Sequence, residues 1–294
     1  MIEKHLNIPS PMHKVSVDWA EASGVELWIK RDDLIHPIIS GNKWRKLSGI
    51  LNANDANEID TITTYGGAFS NHLVATACTA SILGKKSKAI VRGERPKNLN
   101  GVLKLCEFYG MELHFVKRST YRNINRRNGL ENGELFVPEG GASTGGTVGC
   151  EEILREMDLN GVSKVYVACG TGTTLAGMLK VKSQNAIDSK IIGVQVLKGE
   201  NYIKNELKNI FGIENSEVLD TYHSGGYAKT NNELIYFIKS FTKQTGIVLD
   251  PIYTGKLMMA VKDQIDKGVI KRAEKVVAVH TGGLTGWFGK ADLL

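Results

Sequence analysis

Apolar and polar positions along this chain fall into short blocks whose period switches back and forth between that of a strand and that of a helix. Val25-Glu26-Leu27-Trp28-Ile29-Lys30 alternates with period two, predicts a strand, and ends in the charged Arg31-Asp32-Asp33. A small-residue turn, Ser40-Gly41-Asn42, then leads into a helix expected to run to about Asn54. The β-branched run 61–65 predicts a strand, the small-residue run 73–80 a helix ending near Gly84, and 88–92 the next strand. Residues 98–110 read as a helix, 112–116 as a strand, and 135–137 as a short strand before a glycine-rich segment, 139–149. The second half repeats the rhythm with strands at 164–168, 191–196 and 276–279 and a helix at 174–182. Apolar strands that alternate with helices imply parallel sheets covered on both faces. The pattern therefore predicts an α/β chain with two open, mostly parallel sheets flanked by helices. A smaller domain, 47–148, is expected to be inserted in a larger one made of 1–46 and 149–294.

Composition sharpens this picture at one point. Of 294 residues, 42% are hydrophobic and 23% charged, which is globular, but 32 are glycine, well above the usual share of roughly 7%. Many fall in doublets: Gly66-Gly67, Gly140-Gly141, Gly145-Gly146, Gly225-Gly226 and Gly282-Gly283. Glycine serves where backbone takes positive φ or approaches something closely, so these doublets suggest loops converging on a ligand. The net charge of +6 is scattered. Its densest stretch, 117–127, holds Tyr121 but no nucleic-acid motif and reads as a solvated helix or loop, so no nucleic-acid partner is expected. Four widely spaced cysteines without CxxC spacing suit a reduced interior. With no apolar leader, and no run of about 18 apolar residues, no membrane partner is expected. The expected setting is soluble and cytoplasmic.

Chemistry concentrates in the loops after strands, where open α/β sheets place their sites. Lys43 stands at the head of the first long helix. Partial positive charge there disfavours an ammonium, and burial would ease its deprotonation, as a Schiff-base lysine requires. Taken alone, a solvated lysine after a turn explains it more simply. Cys169-Gly170-Thr171-Gly172-Thr173-Thr174 joins a strand to a helix, and its free N–H groups, hydroxyls and helix dipole suit a phosphate. It lacks the lysine of a P-loop and the third glycine of a dinucleotide fingerprint. Ser70-Asn71-His72 could receive a carboxylate or simply cap a helix. His72 has no metal-ligand partner at useful spacing, so no metal is expected. Tyr227 and Tyr253 lie in loops, as stacking or acid/base groups or as packing. Thr281 ends the last strand, facing a ligand or capping a turn.

A lysine, a phosphate cup and a carboxylate loop in one frame point to pyridoxal 5′-phosphate acting on a small amino acid. Ile29-Lys30-Arg31-Asp32-Asp33, Gly41-Asn42-Lys43, Ser70-Asn71-His72, Gly170-Thr171-Gly172-Thr173, Asp250-Pro251-Ile252-Tyr253 and Gly282-Gly283 resemble the aminocyclopropane-carboxylate deaminase and D-cysteine desulfhydrase family, of fold type II. The resemblance covers nearly the whole chain, in order and spacing. It implies that Lys43 carries the cofactor, Asn71 bonds its phenolic oxygen, and 169–174 with Thr281 complete its site. It further implies that Ser70, with Asn71, His72 and Thr254, receives the substrate, that Tyr227 and Tyr253 are the active-site tyrosines, and that the chain forms a homodimer. Deaminases of the family resemble Tyr-Glu-Gly-Lys and His-Leu-Gly-Gly where this chain has Thr254 and Thr281, so it is similar to the desulfhydrases. Elimination of a good β-leaving group needs less electron withdrawal than opening a cyclopropane, and neutral threonines suit that. D-cysteine, giving pyruvate, hydrogen sulfide and ammonia, is the expected substrate. Aminocyclopropane-carboxylate deamination, β-replacement and racemisation are the alternatives within the class. Outside it stand a dinucleotide-dependent oxidoreductase, for which Asp188 precedes the next strand instead of ending it, and a non-enzymatic amino-acid-binding protein, which leaves Lys43 without a role. The chain departs from the family pattern at Ala228-Lys229-Thr230 and from Gly286 to the end, both bordering the implied substrate pocket.

Overall fold

A computed structural model describes residues 2–55, 57–123 and 132–293; part of the basic stretch 117–127 thus lies outside the described residues. In chain order the first half contains β1 (Met12–Lys14), α1 (Asp18–Ala22), β2 (Glu26–Lys30), α2 (Gly41–Asn52), β3 (Thr61–Gly67), α3 (Asn71–Ile82), β4 (Lys86–Arg92), α4 (Gly101–Phe108), β5 (Met111–Val116), α5 (Arg118–Asn123) and β6 (Glu134–Val137). There follow α6 (Thr144–Arg155), β7 (Val162–Cys169), α7 (Thr173–Gln184), β8 (Lys190–Gln195), α8 (Tyr202–Phe211), β9 (Glu217–Leu219), α9 (Asn232–Thr245), α10 (Thr254–Asp266) and β10 (Lys275–Val279). The strands form two sheets. The larger has six strands in the order β1-β2-β10-β7-β8-β9 and the smaller four, β5-β4-β3-β6. Among the described residues every pairing is parallel except the edge pair β1–β2. Two mostly parallel sheets flanked by helices are what the block pattern implies.

Each sheet is covered because its strands are apolar on both faces. In β7, Tyr166 and Ala168 pack with residues of α9 and α10, while Val165 and Val167 pack with α6 and α7 on the opposite side. In the smaller sheet Ile62 and Val137 pack with Trp44, Leu47 and Ile50 of α2, and Ala89 and Val91 with Leu103 and Cys106 of α4. No helix among the described residues is long and apolar enough to cross a membrane.

One expectation fails. The glycine-rich 139–149 segment is not a loop throughout, because α6 begins at Thr144. Ser143 caps it, its hydroxyl oxygen accepting from the Gly146 N–H at 3.0 Å. Gly145-Gly146 therefore serves a helix rather than a ligand loop. The reason is contact with α2: a Cβ on Gly149 would stand 1.8 Å from the Arg45 carbonyl oxygen, and one on Gly49 would stand 2.1 Å from that of Gly145. The low helix propensity of glycine is outweighed by a backbone approach that no other residue permits. The positions 46/47 and 148/149 both fall inside this helix pair.

Below α2 lies a buried ion network. The Arg45 guanidinium donates to Asp32 (Nη2 to Oδ1, 3.0 Å) and to Glu156 (Nη2 to Oε2, 2.6 Å). Lys30 Nζ donates to Glu156 Oε2 at 2.8 Å and to the Ser10 carbonyl at 2.6 Å. The Ser10 hydroxyl donates to Asp32 Oδ1 at 2.6 Å. Its partners hold the Arg45 guanidinium charged against burial and keep the Glu156 carboxyl below the usual range in spite of it. The network ties α2 to β2, α6 and the N-terminal segment, and so fixes the helix that presents Lys43.

Candidate active site

The loops that follow β3, β6, β7 and β10 converge around Lys43, in the first turn of α2. The turn before it is strained, since Ser40 has φ of 65°, in the left-handed region that non-glycine residues avoid. Its hydroxyl oxygen accepts from the Gly283 N–H at 3.0 Å, and the Thr281 carbonyl accepts from the Asn42 N–H at 3.2 Å. Gly282 has φ of 79°, and a Cβ there would lie 1.6 Å from Ser40 Oγ. The loop after β10 is thus clasped to the turn that delivers the lysine. Burial, and then the neighbouring Lys46 charge, lower the Lys43 amine from its ordinary value to about 7. Lys46 is itself buried, donates to the Gly140 carbonyl at 3.2 Å, and is shifted down by burial.

Opposite the amine is the loop between β7 and α7. Gly172 is left-handed (φ 76°) and caps α7, and the Thr171 and Thr173 hydroxyls are 3.0 Å apart. Cys169 is buried, its thiol pushed up to about 12, so it lines the loop without acting as a nucleophile. Thr174 Oγ1 stands 3.5 Å from Asn42 Nδ2. A Cβ on Gly140 would touch Thr171 Cγ2 at 3.5 Å and Lys43 Nζ at 4.0 Å, which puts the lysine beside the cup.

From the smaller sheet comes the third wall. Ser70 is the N-cap of α3, its hydroxyl oxygen accepting from the His72 N–H at 3.2 Å, so the capping and ligand readings coexist with the hydroxyl proton left to donate. Asn71 accepts from the Thr285 hydroxyl, and a Cβ on Gly283 would approach its Nδ2 to 2.8 Å. His72 is buried, and neither ring nitrogen has a hydrogen-bond partner among the described residues. Burial, and then Lys43 and Lys46, hold its imidazole neutral, well below the usual value.

The two tyrosines meet edge to face, their ring centroids 6.3 Å apart, with Tyr253 against Gly170 and Tyr227 half exposed. Burial, with Tyr227 beside it, raises the Tyr253 hydroxyl well above 10, so it stays protonated. Thr254 is placed differently from a ligand-facing residue. Its hydroxyl accepts from the Asp250 N–H at 2.8 Å and donates to Asp250 Oδ1 at 2.9 Å, inside the cap of α10. Thr281 is buried, and its carbonyl, as described, faces the Lys43 turn. Lys256 anchors the Tyr227 loop by donating to the His223 and Gly226 carbonyls at 2.8 and 3.0 Å. The two departing segments touch, Lys290 Nζ donating to Thr230 Oγ1 at 3.1 Å.

The family model described as "Pyridoxal-phosphate dependent enzyme" matches residues 5–282. The chain belongs to that family. It is similar to an Arabidopsis thaliana protein named bifunctional D-cysteine desulfhydrase/1-aminocyclopropane-1-carboxylate deaminase, with 29% identity over 97% of this chain and 79% of that one. A solved structure described as an ACC deaminase homologue superposes with a TM-score of 0.82 at 29% identity, covering 99% of this chain and 95% of the other. At 17% identity a tomato (Solanum lycopersicum) threonine deaminase shares the fold, with a TM-score of 0.70 over 98% of this chain and 84% of its own. As a member of a pyridoxal-phosphate dependent family, the enzyme needs a lysine amine, a phosphate cradle and polar groups around a flat ring. The lowered Lys43 amine, the cup at the head of α7 and the orphaned imidazole of His72 fit that group. Lys46 was missed in the sequence, where nothing distinguishes it from other lysines. Only its position one turn after Lys43, on the buried side of the helix, could have marked it. Among the described residues no cluster of three or more His, Cys, Asp or Glu side chains could hold a metal.

Proposed function

We propose that this enzyme catalyses α,β-elimination on a small amino acid, with D-cysteine the best single substrate, giving pyruvate, hydrogen sulfide and ammonia. One observation carries the reading: a buried lysine amine, shifted down by that burial, beside a phosphate cup, with the neutral Thr281 where the last strand ends. Pyridoxal phosphate, when bound, draws electrons from the substrate's α-carbon. The backbone N–H groups of Gly170–Thr174, with Lys46 beside them, would hold its phosphate, and Asn71 and Thr281 would offer polar groups to its ring. Lys43 is the amine that would carry it, and its free Nζ the base that would take the α-proton. Ser70, with the α3 N-terminus and His72, binds the substrate carboxylate. Tyr253, held protonated, donates its O–H towards the departing sulfur rather than removing a proton, and Tyr227 covers it. Thr254 acts through the Asp250 cap that positions Tyr253.

A second reading, aminocyclopropane-carboxylate deamination, is favoured by the Arabidopsis relative, whose name carries both activities. The deciding experiment measures pyruvate and sulfide from D- and L-cysteine against ammonia from aminocyclopropane carboxylate. Ammonia from the cyclopropane without sulfide from either cysteine would overturn the leading reading. A division into a smaller unit, 47–148, within a larger one is part of the proposal, supported by the two sheets. So is a cytoplasmic setting, supported by four free, buried cysteines. A homodimer rests on family resemblance, and size determination by light scattering tests it.

A further inference from the structure

Beyond the lysine, the carboxyl edge of the smaller sheet carries a second concentration of charge. Arg92 is the last residue of β4, paired in register with Gly67 of β3, three residues before Ser70. A Cβ on Gly67 would lie 3.3 Å from Arg92 Nη2, so the guanidinium leans over the start of the Ser70 loop. Arg118 and Arg122 come from α5, which follows the neighbouring strand β5 at the same edge. The three arginines line one cavity of about 450 Å³ with Tyr121 and Glu139. Glu139 precedes Gly140, whose carbonyl accepts from Lys46 and on which a Cβ would lie 4.0 Å from Lys43 Nζ, and its charge is felt at the Lys43 amine. The cavity therefore lies beside the start of the Ser70 loop and is lined by the residue that precedes Gly140.

None of these arginines forms an ion pair among the described residues, whereas Arg31, Arg45, Arg95 and Arg155 each hold a carboxylate. Three guanidinium groups in one cavity repel one another and focus a positive field, and their planar forks match oxyanions. Departing sulfide needs no such lining. We propose that Arg92, Arg118 and Arg122 form an oxyanion subsite at the mouth of the active site, selecting amino acids that carry a second oxyanion on the β-substituent. The proposal rests on the elimination reading and departs from it in the substrate, since D-cysteine carries no second oxyanion. With a β-phosphate substrate, the α-proton passes to Lys43 Nζ and the C–H electron pair forms the Cα–Cβ double bond. The Cβ–O pair leaves with phosphate, and water releases pyruvate and ammonia.

The holoenzyme tests this on racemic O-phosphoserine and β-chloroalanine, with pyruvate as readout. Calorimetry with racemic 2-amino-3-phosphonopropionate and 2-aminobutyrate, which offer no leaving group, supplies a binding readout. The expected result is at least tenfold tighter binding of the phosphonate, and a kcat/KM ratio favouring O-phosphoserine that falls at least tenfold in R92Q/R118Q/R122Q. R92K should retain more of that ratio than R92Q. Equal affinity for the two calorimetric probes, or an equal loss on both substrates in the triple variant, overturns the subsite. If the wild-type holoenzyme makes pyruvate from neither substrate, the elimination reading fails, while the affinity ratio still decides the subsite.

Discussion

Arg45 and Lys46 are consecutive residues of α2, both buried, and their surroundings are opposites. Arg45 points down into a floor where each charge has a partner: Asp32, Glu156, Lys30 and the Ser10 backbone complete one another. Lys46 points up with Lys43 into a cleft where the amines have one backbone carbonyl, at Gly140, and no ion pair among the described residues. Burial acts on both faces. On the floor ion pairs outweigh it and the guanidinium stays charged; in the cleft nothing outweighs it and the amines move towards neutrality. The helix thus separates a stabilising use of charge from a reactive one over less than a turn. Perturbed groups without structural partners are what functional sites accumulate.

The strongest way to break the contrast is Lys43→Ala. Elimination should fall by about 10³-fold or more, and borohydride should find no lysine-bound cofactor to reduce, with folding intact. Retention of the visible absorption in that variant would remove Lys43 from its role. Arg45→Met should do the reverse. It takes the guanidinium from Asp32 and Glu156, leaving them only Ser10 and Lys30 among the described residues, and should cost about 3–5 kcal/mol of unfolding free energy in urea titration, while residual folded enzyme keeps its absorption.

Much of this was legible in advance, and the misses have physical causes. The strand β2 was readable from its period-two alternation, and β3, β4, β7, β8 and β10 from short β-branched or apolar runs. The edge strands β1 and β9, three residues each, have no such run. Helix α6 was hidden because Gly145, Gly146 and Gly149 speak locally for a loop, and only α2 across the contact explains them. The glycine loops and Lys43 were legible as chemistry. The floor was not, since Arg45 and Glu156 are 111 residues apart and no local pattern joins them. Thr254 was read through the family resemblance alone, and its engagement with Asp250 needed the folded cap.

Two finer experiments sharpen the contrast. The free amine of Lys43 is the form that takes up the cofactor, so loading of cofactor-free enzyme should rise about tenfold per pH unit below about 7 and level off above. Because the Lys46 charge helps lower Lys43, Lys46→Met should move that inflection upward, towards the ordinary lysine value. An unmoved inflection would sever the coupling. The smallest expected effect is that of Thr254→Val. Loss of its two hydrogen bonds with Asp250 should cost roughly 1–2 kcal/mol of stability with KM little changed. A raised KM at unchanged stability would instead put the hydroxyl on the substrate.

The near-touching backbones of α2 and α6 have a consequence for how this sequence can vary. At Gly49 and Gly149 the smallest possible side chain already collides with a carbonyl oxygen or a backbone nitrogen, and α2 cannot retreat from the contact without moving Lys43. In a saturation library these two positions should keep only the wild-type letter. A ranking of residues by intolerance would then place two glycines that never reach the cleft level with the lysine that does the work.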